Sequence, residues 1–142
     1  MRGTVSILRA IALILLATSV LSACGGPAGP LGVDSVTLMR DDGSGHAGDT
    51  VTDFKPTDHK LYAEAKLNQS TSGVSAKAIW LAVDTTAGKN ITIAQVDLGT
   101  LEGATTLNTN LSVPRDLPVG KYQVDFYLNG KVAKSAMFNV NP

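Results

Sequence analysis

Residues 117–140 read Leu117-Pro118-Val119-Gly120-Lys121-Tyr122-Gln123-Val124-Asp125-Phe126-Tyr127-Leu128-Asn129-Gly130-Lys131-Val132-Ala133-Lys134-Ser135-Ala136-Met137-Phe138-Asn139-Val140, and they decide the fold. Asn129-Gly130 sits between two alternating segments, and a type I′ hairpin turn needs positive φ at both central residues, which Asn and Gly tolerate best. With those two as the loop, Leu128 faces Lys131, Tyr127 faces Val132 and Asp125 faces Lys134. Tyr122, Val124, Phe126 and Leu128 then point inward, and Asp125 and Lys134 form an outward pair of opposite charge. The same parity would turn Phe138 and Val140 out to water. A β-bulge between Ala133 and Met137 is therefore predicted, because one extra residue reverses the parity beyond it.

Working back from the hairpin, Pro114 and Pro118 end the preceding strand, and Gly120 can take a backbone conformation closed to other residues. Tyr122 at the entry to a strand suggests a tyrosine corner, with the phenol bonded to nearby backbone. Period-two alternation recurs upstream. Leu61, Ala63, Ala65 and Leu67 alternate with Tyr62, Glu64 and Lys66, and Leu107, Thr109, Leu111 and Val113 alternate with Asn108, Asn110 and Ser112. Each reads as a strand with one buried face. Residues 35–40, 75–84, 90–98, 122–128 and 131–140 complete the set, and residues 50–54 could add a short edge strand. The composition of residues 60–67 favours helix by propensity, but their alternation favours strand. About seven short strands in residues 33–142 predict an all-β sandwich.

The final two strands, from Leu117 through Lys131 to Phe138-Asn139-Val140, resemble those of immunoglobulin-like domains of bacterial envelope proteins. Trp80 resembles the core tryptophan of such domains. The resemblance implies an immunoglobulin-like β-sandwich; both cysteines of antibody domains are missing, so it carries no immune-type role.

The other end of the chain reads as an address. Arg2 and Arg9 precede a 12-residue apolar run, residues 10–21, in the order of a secretory signal. A spanning helix needs roughly 20 apolar residues, and this run stops at Cys24-Gly25-Gly26-Pro27. Leu21-Ser22-Ala23-Cys24 resembles the lipobox of bacterial lipoproteins. That resemblance implies cleavage after residue 23, a diacylglycerol thioether on Cys24 and acylation of its freed amine, with palmitate-type chains holding the protein on a membrane. Gly25 in place of an acid implies forwarding to the outer membrane, facing the periplasm. The expected organisation is a signal peptide over residues 1–23, the lipidated cysteine with a flexible Gly/Pro tether over 24–32, and one domain over 33–142. Residues 25–32, fully extended, reach at most roughly 28 Å.

Without residues 1–23 the chain keeps ten basic against twelve acidic residues. Nucleic-acid binding is not expected, since phosphate neutralisation needs clustered Lys and Arg. One cysteine excludes an intrachain disulfide and a multi-cysteine zinc site. His46 and His59 lie in loops, 13 residues apart, and match no compact ligand spacing. Asp41, Asp42 and Asp49 with intervening glycines lack the calcium-loop register of alternating acids and a closing Glu. No serine stands in a nucleophile motif. The chain is therefore expected to be no enzyme, with no cofactor, no metal and no catalytic residues. Tyr62 and Tyr127 fall on outward parities and are the candidate contact residues. The expected function is a membrane-anchored lipoprotein working through contact with an envelope protein, as an accessory or assembly factor. A small-ligand or glycan-binding module and a metal-binding loop are the alternatives.

Overall fold

The computed structural model describes residues 29–142, and the expected signal peptide and Cys24 lie outside them. The described chain forms nine strands: β1 (Val33–Asp41), β2 (Ala47–Thr50), β3 (Asp53–Phe54), β4 (Lys60–Leu67), β5 (Val74–Thr85), β6 (Gly88–Leu101), β7 (Thr106–Ser112), β8 (Gly120–Leu128) and β9 (Lys131–Val140). They make two sheets, in the orders β2-β1-β4-β7 and β3-β9-β8-β5-β6. Seven of the strands answer to the sequence expectation. The expected edge strand over 50–54 is instead two short strands: β2, which reaches back to Ala47 and pairs with β1, and, after Val51-Thr52 cross to the other sheet, the two-residue β3, parallel to β9. Residues 60–67 are a strand, their alternation outweighing the helical propensity, because β1 and β7 supply ladder partners on both sides.

Alternation puts one side of every central strand between the sheets. Leu61, Ala63, Ala65, Leu107 and Leu111 come from one sheet, and Ala78, Trp80, Tyr122, Val124, Phe126, Phe138 and Val140 from the other; all are buried. Trp80 has no exposure and its indole N–H donates to Thr109 Oγ1 at 3.4 Å, so the largest core side chain also hydrogen-bonds across to the opposite sheet.

The predicted bulge is present. Tyr127 pairs with Val132 but Phe126 pairs with Lys134, so Ala133 is the extra residue, and from there Tyr122 faces Phe138 and Gly120 faces Val140. One charge pair differs from expectation. The bulge falls before Lys134, so Asp125 pairs with Ser135, whose hydroxyl bonds the carboxylate, while Lys134 takes the inner parity and its Nζ reaches the Asp34 carbonyl of β1 at 3.0 Å.

The ladders sort the loops into two poles. Residues 29–32, the loops 68–73 and 102–105, and the Asn129-Gly130 turn lie at one pole. The loops 42–46, 55–59 and 113–119, the 86–87 turn and the end of β9 lie at the other.

Candidate functional site

At the first pole the chain is fastened before β1 begins. Asn68 accepts a hydrogen bond from the Gly32 N–H at 3.0 Å and donates to the Pro30 carbonyl at 3.0 Å, and Gln69 donates to the Gly29 carbonyl at 3.1 Å. The described part of the expected tether, residues 29–32, is thus clasped to the domain. The signal for this was invisible in the sequence, since the clasp joins residues 36 to 40 positions apart.

At the opposite pole the loops are held by their own acids. Asp41 accepts from the N–H groups of Gly43 at 2.6 Å and Gly45 at 3.1 Å. Asp42 accepts from the Ser44 hydroxyl at 2.7 Å and from the N–H groups of Ser44 and His46 at 2.8 and 3.2 Å. These are Asx-type bonds, in which a short acid closes a turn on its own backbone. The Ser44 hydroxyl and N–H, with the His46 N–H, lower the Asp42 pKa to about 2. Desolvation pushes Asp41 up, but the Gly45 and Gly43 N–H groups outweigh it and its pKa is lowered too. Among the described residues no three of His, Cys, Asp and Glu gather as a metal site would require. His46 and His59 are not brought together: His46 Nδ1 lies 3.1 Å from Ser44 Oγ, and His59 Nε2 lies 2.7 Å from Asp116 Oδ1 on the 113–119 loop.

The two candidate tyrosines are on different sheets. Tyr62, on the outer face of β4, is half-buried; its hydroxyl bonds the Gly45 carbonyl and lies 3.3 Å from Asp41 Oδ2, with Lys60 Nζ 5.3 Å from the ring centroid. It clamps the 42–46 loop. Tyr127, on the outer face of β8, is half-buried with Lys77 Nζ 4.8 Å from its centroid. It borders a depression of about 240 Å³ with Ser75, Lys77, Gln95 and Asp97.

A larger feature escaped the sequence reading. Strand β6 is an edge strand of its sheet, and between its start and the 113–119 loop lies an open groove of about 330 Å³. Ile91, Ile93, Val113, Leu117 and Pro118 line it, with Arg115 and Asp116 beside them. Ile91 is 45% exposed, unusual for a large apolar side chain on the parity of the buried Ala82 that it pairs with. In the sequence Ile91 and Ile93 read only as part of a strand over residues 90–98. The tertiary arrangement packs Ile93 partly against the core and leaves Ile91 exposed. The β6 edge itself is irregular, with bulges at Ile93 and Leu98, devices that discourage plain edge-to-edge pairing.

No protein-family model and no curated protein matches the chain. Solved structures do. An immunoglobulin-like protein from Pseudomonas aeruginosa superimposes with a TM-score of 0.53 at 11% identity, covering 82% of this chain and 100% of that one. The fold is immunoglobulin-like. An alkylpurine DNA glycosylase from Pseudomonas fluorescens, bound to DNA containing an abasic site analog, matches with a TM-score of 0.50 at 14% identity. That match covers 79% of this chain but 30% of the glycosylase, so it concerns one part of a longer protein. At these identities the likeness is one of fold, and fold does not carry function.

Proposed function

We propose that this chain is a lipid-anchored, non-enzymatic protein of the bacterial cell envelope that works through protein contact, as an accessory or assembly factor of an envelope complex. The observation that carries the reading is the bipolar layout. The N-terminal segment is clasped to one pole by Asn68 and Gln69, while the groove lined by Ile91 and Leu117 opens at the other. With a lipid on Cys24, residues 24–28 add at most about 17 Å of reach. Such a protein stands on the membrane with its clasped pole down and presents its grooved pole outward. The outer membrane, on its periplasmic face, is the proposed location, from the lipobox Leu21-Ser22-Ala23-Cys24 and Gly25.

Cross-linking in intact cells carrying the tagged full-length protein, with Cys24→Ser as the unanchored control, tests this. A protein partner recovered with the wild type and lost with the variant is expected. Equal recovery from both, or a wild type found outside the membrane fraction, counts against the reading.

A glycan-binding module is the second reading, favoured by the depression around Tyr127, where one aromatic ring is grouped with Lys77, Gln95 and Asp97. It requires envelope polysaccharide to quench intrinsic fluorescence, and Tyr127→Ala to remove the effect.

A further inference from the structure

We infer that the groove between the start of β6 and the 113–119 loop is the partner site, and that it takes an apolar peptide segment bearing a carboxylate from a protein standing farther from the membrane. The inference rests on the anchored, protein-contacting reading above and specifies where that contact is made.

Three observations select this occupant. The first is shape and polarity. At about 330 Å³ the groove is at the small end of the roughly 300–1,000 Å³ typical of ligand sites, and it is walled by aliphatic side chains and proline rings. Burying the exposed part of Ile91 there is favourable, as for any apolar surface removed from water.

The second is charge. Asp116 on the rim is engaged by His59 at 2.7 Å, whereas its neighbour Arg115 is exposed and makes no ion pair with any described acid. An apolar wall with a guanidinium beside it complements an apolar segment carrying an acid, because Arg binds carboxylate in a two-pronged geometry.

The third is position. The groove lies at the far end of β5, whose 12 residues span roughly 40 Å from the clasped pole. The tether beyond Gly29 adds about 17 Å at most. On an anchored protein the groove therefore faces away from the headgroups, and a neighbouring protein rather than the membrane's own lipid meets it.

The test places a photo-reactive benzophenone side chain at position 91 of the full-length, lipidated protein in cells, with a second copy of the experiment at Ser72 on the clasped pole. Cross-linked peptides are then mapped. The expected product from position 91 is an adduct to an apolar, acid-containing segment of another protein. Arg115→Glu should reduce that adduct at least tenfold and Arg115→Lys should keep part of it, while the adduct pattern from position 72 stays unchanged. An adduct to phospholipid, to a second copy of this chain, or no adduct at position 91 overturns the inference, as does insensitivity to Arg115→Glu. A partner captured from position 72 but not from 91 refutes the groove while leaving the anchored, protein-contacting reading intact. Loss of partners from both positions refutes the two together.

Discussion

Tyr122 and Phe138 stack across β8 and β9 with ring centroids 5.3 Å apart and planes inclined by 16°, and they meet because Ala133 is bulged out of the ladder. Phe54 and Trp80 then close on Phe138 edge-on, at 5.2 and 6.0 Å. One unpaired residue on β9 thus assembles the aromatic centre of the core.

This register sets apart two neighbouring side chains. Phe138 is 2% exposed and Met137 is 52% exposed. Phe138→Ala should cost about 3–5 kcal/mol of unfolding free energy. Met137→Ala should stay within about 0.5 kcal/mol. Urea denaturation of both variants reads the difference, and a reversed order would mean the opposite parity. Deleting Ala133 should leave a folded protein with Phe138 still buried, since removal of the extra residue regularises the ladder without changing which residues face inward.

Tyr122 Oη donates to the Pro118 carbonyl at 2.6 Å, closing the tyrosine corner. Tyr122→Phe keeps the ring and removes that bond, so it should cost about 1 kcal/mol. The denaturation midpoint should fall with its slope unchanged. An unaltered midpoint would show that the corner contributes nothing to stability.

Gly120 and Gly130 both have positive φ but differ in surroundings. A Cβ on Gly120, at φ 147°, would overlap the Asp84 carbonyl oxygen and the Thr85 Cα of β5, whereas one on Gly130, at φ 79°, would meet nothing within 4 Å. Gly130→Ala should cost about 1–2 kcal/mol, the dihedral penalty alone. Gly120→Ala adds steric overlap with backbone and should cost about 3 kcal/mol or more. Thermal or urea unfolding of the pair tests whether close packing, rather than turn geometry, demands glycine at 120.

Acid sensitivity should trace in part to the 42–46 loop. The Asp42 pKa is lowered from 3.8 to about 2, first by the Ser44 hydroxyl and then by the Ser44 and His46 N–H groups. A carboxylate whose folded pKa is depressed contributes stability that is fully present above its unfolded pKa and lost as pH falls through the folded one. Asp42 therefore stabilises the fold above pH 3.8 and ceases to do so near pH 2. Between these values the unfolding midpoint of the wild type should drop more steeply than that of Asp42→Asn. Parallel pH profiles would remove Asp42 from the account.

The local rules of a β-protein are written in adjacent residues, and these are legible in the sequence alone. Alternation in residues 61–67 and 107–113, the Asn129-Gly130 turn, the tyrosine corner and the parity conflict that demanded a bulge all depend on neighbours a few positions apart. The chain by itself thus determined an all-β sandwich, its hairpin and most of its core. The tertiary structure decided what depends on distant segments meeting. It assigned residues 47–50 and 53–54 to opposite sheets, turned Lys134 toward Asp34 and clasped residues 29–32 to Asn68 and Gln69. It put Tyr62 and Tyr127 on different sheets, and it left Ile91 exposed near the start of β6. Periodicity states which face of a strand is apolar; whether another layer covers that face depends on the width and offset of the opposite sheet, which no local pattern encodes.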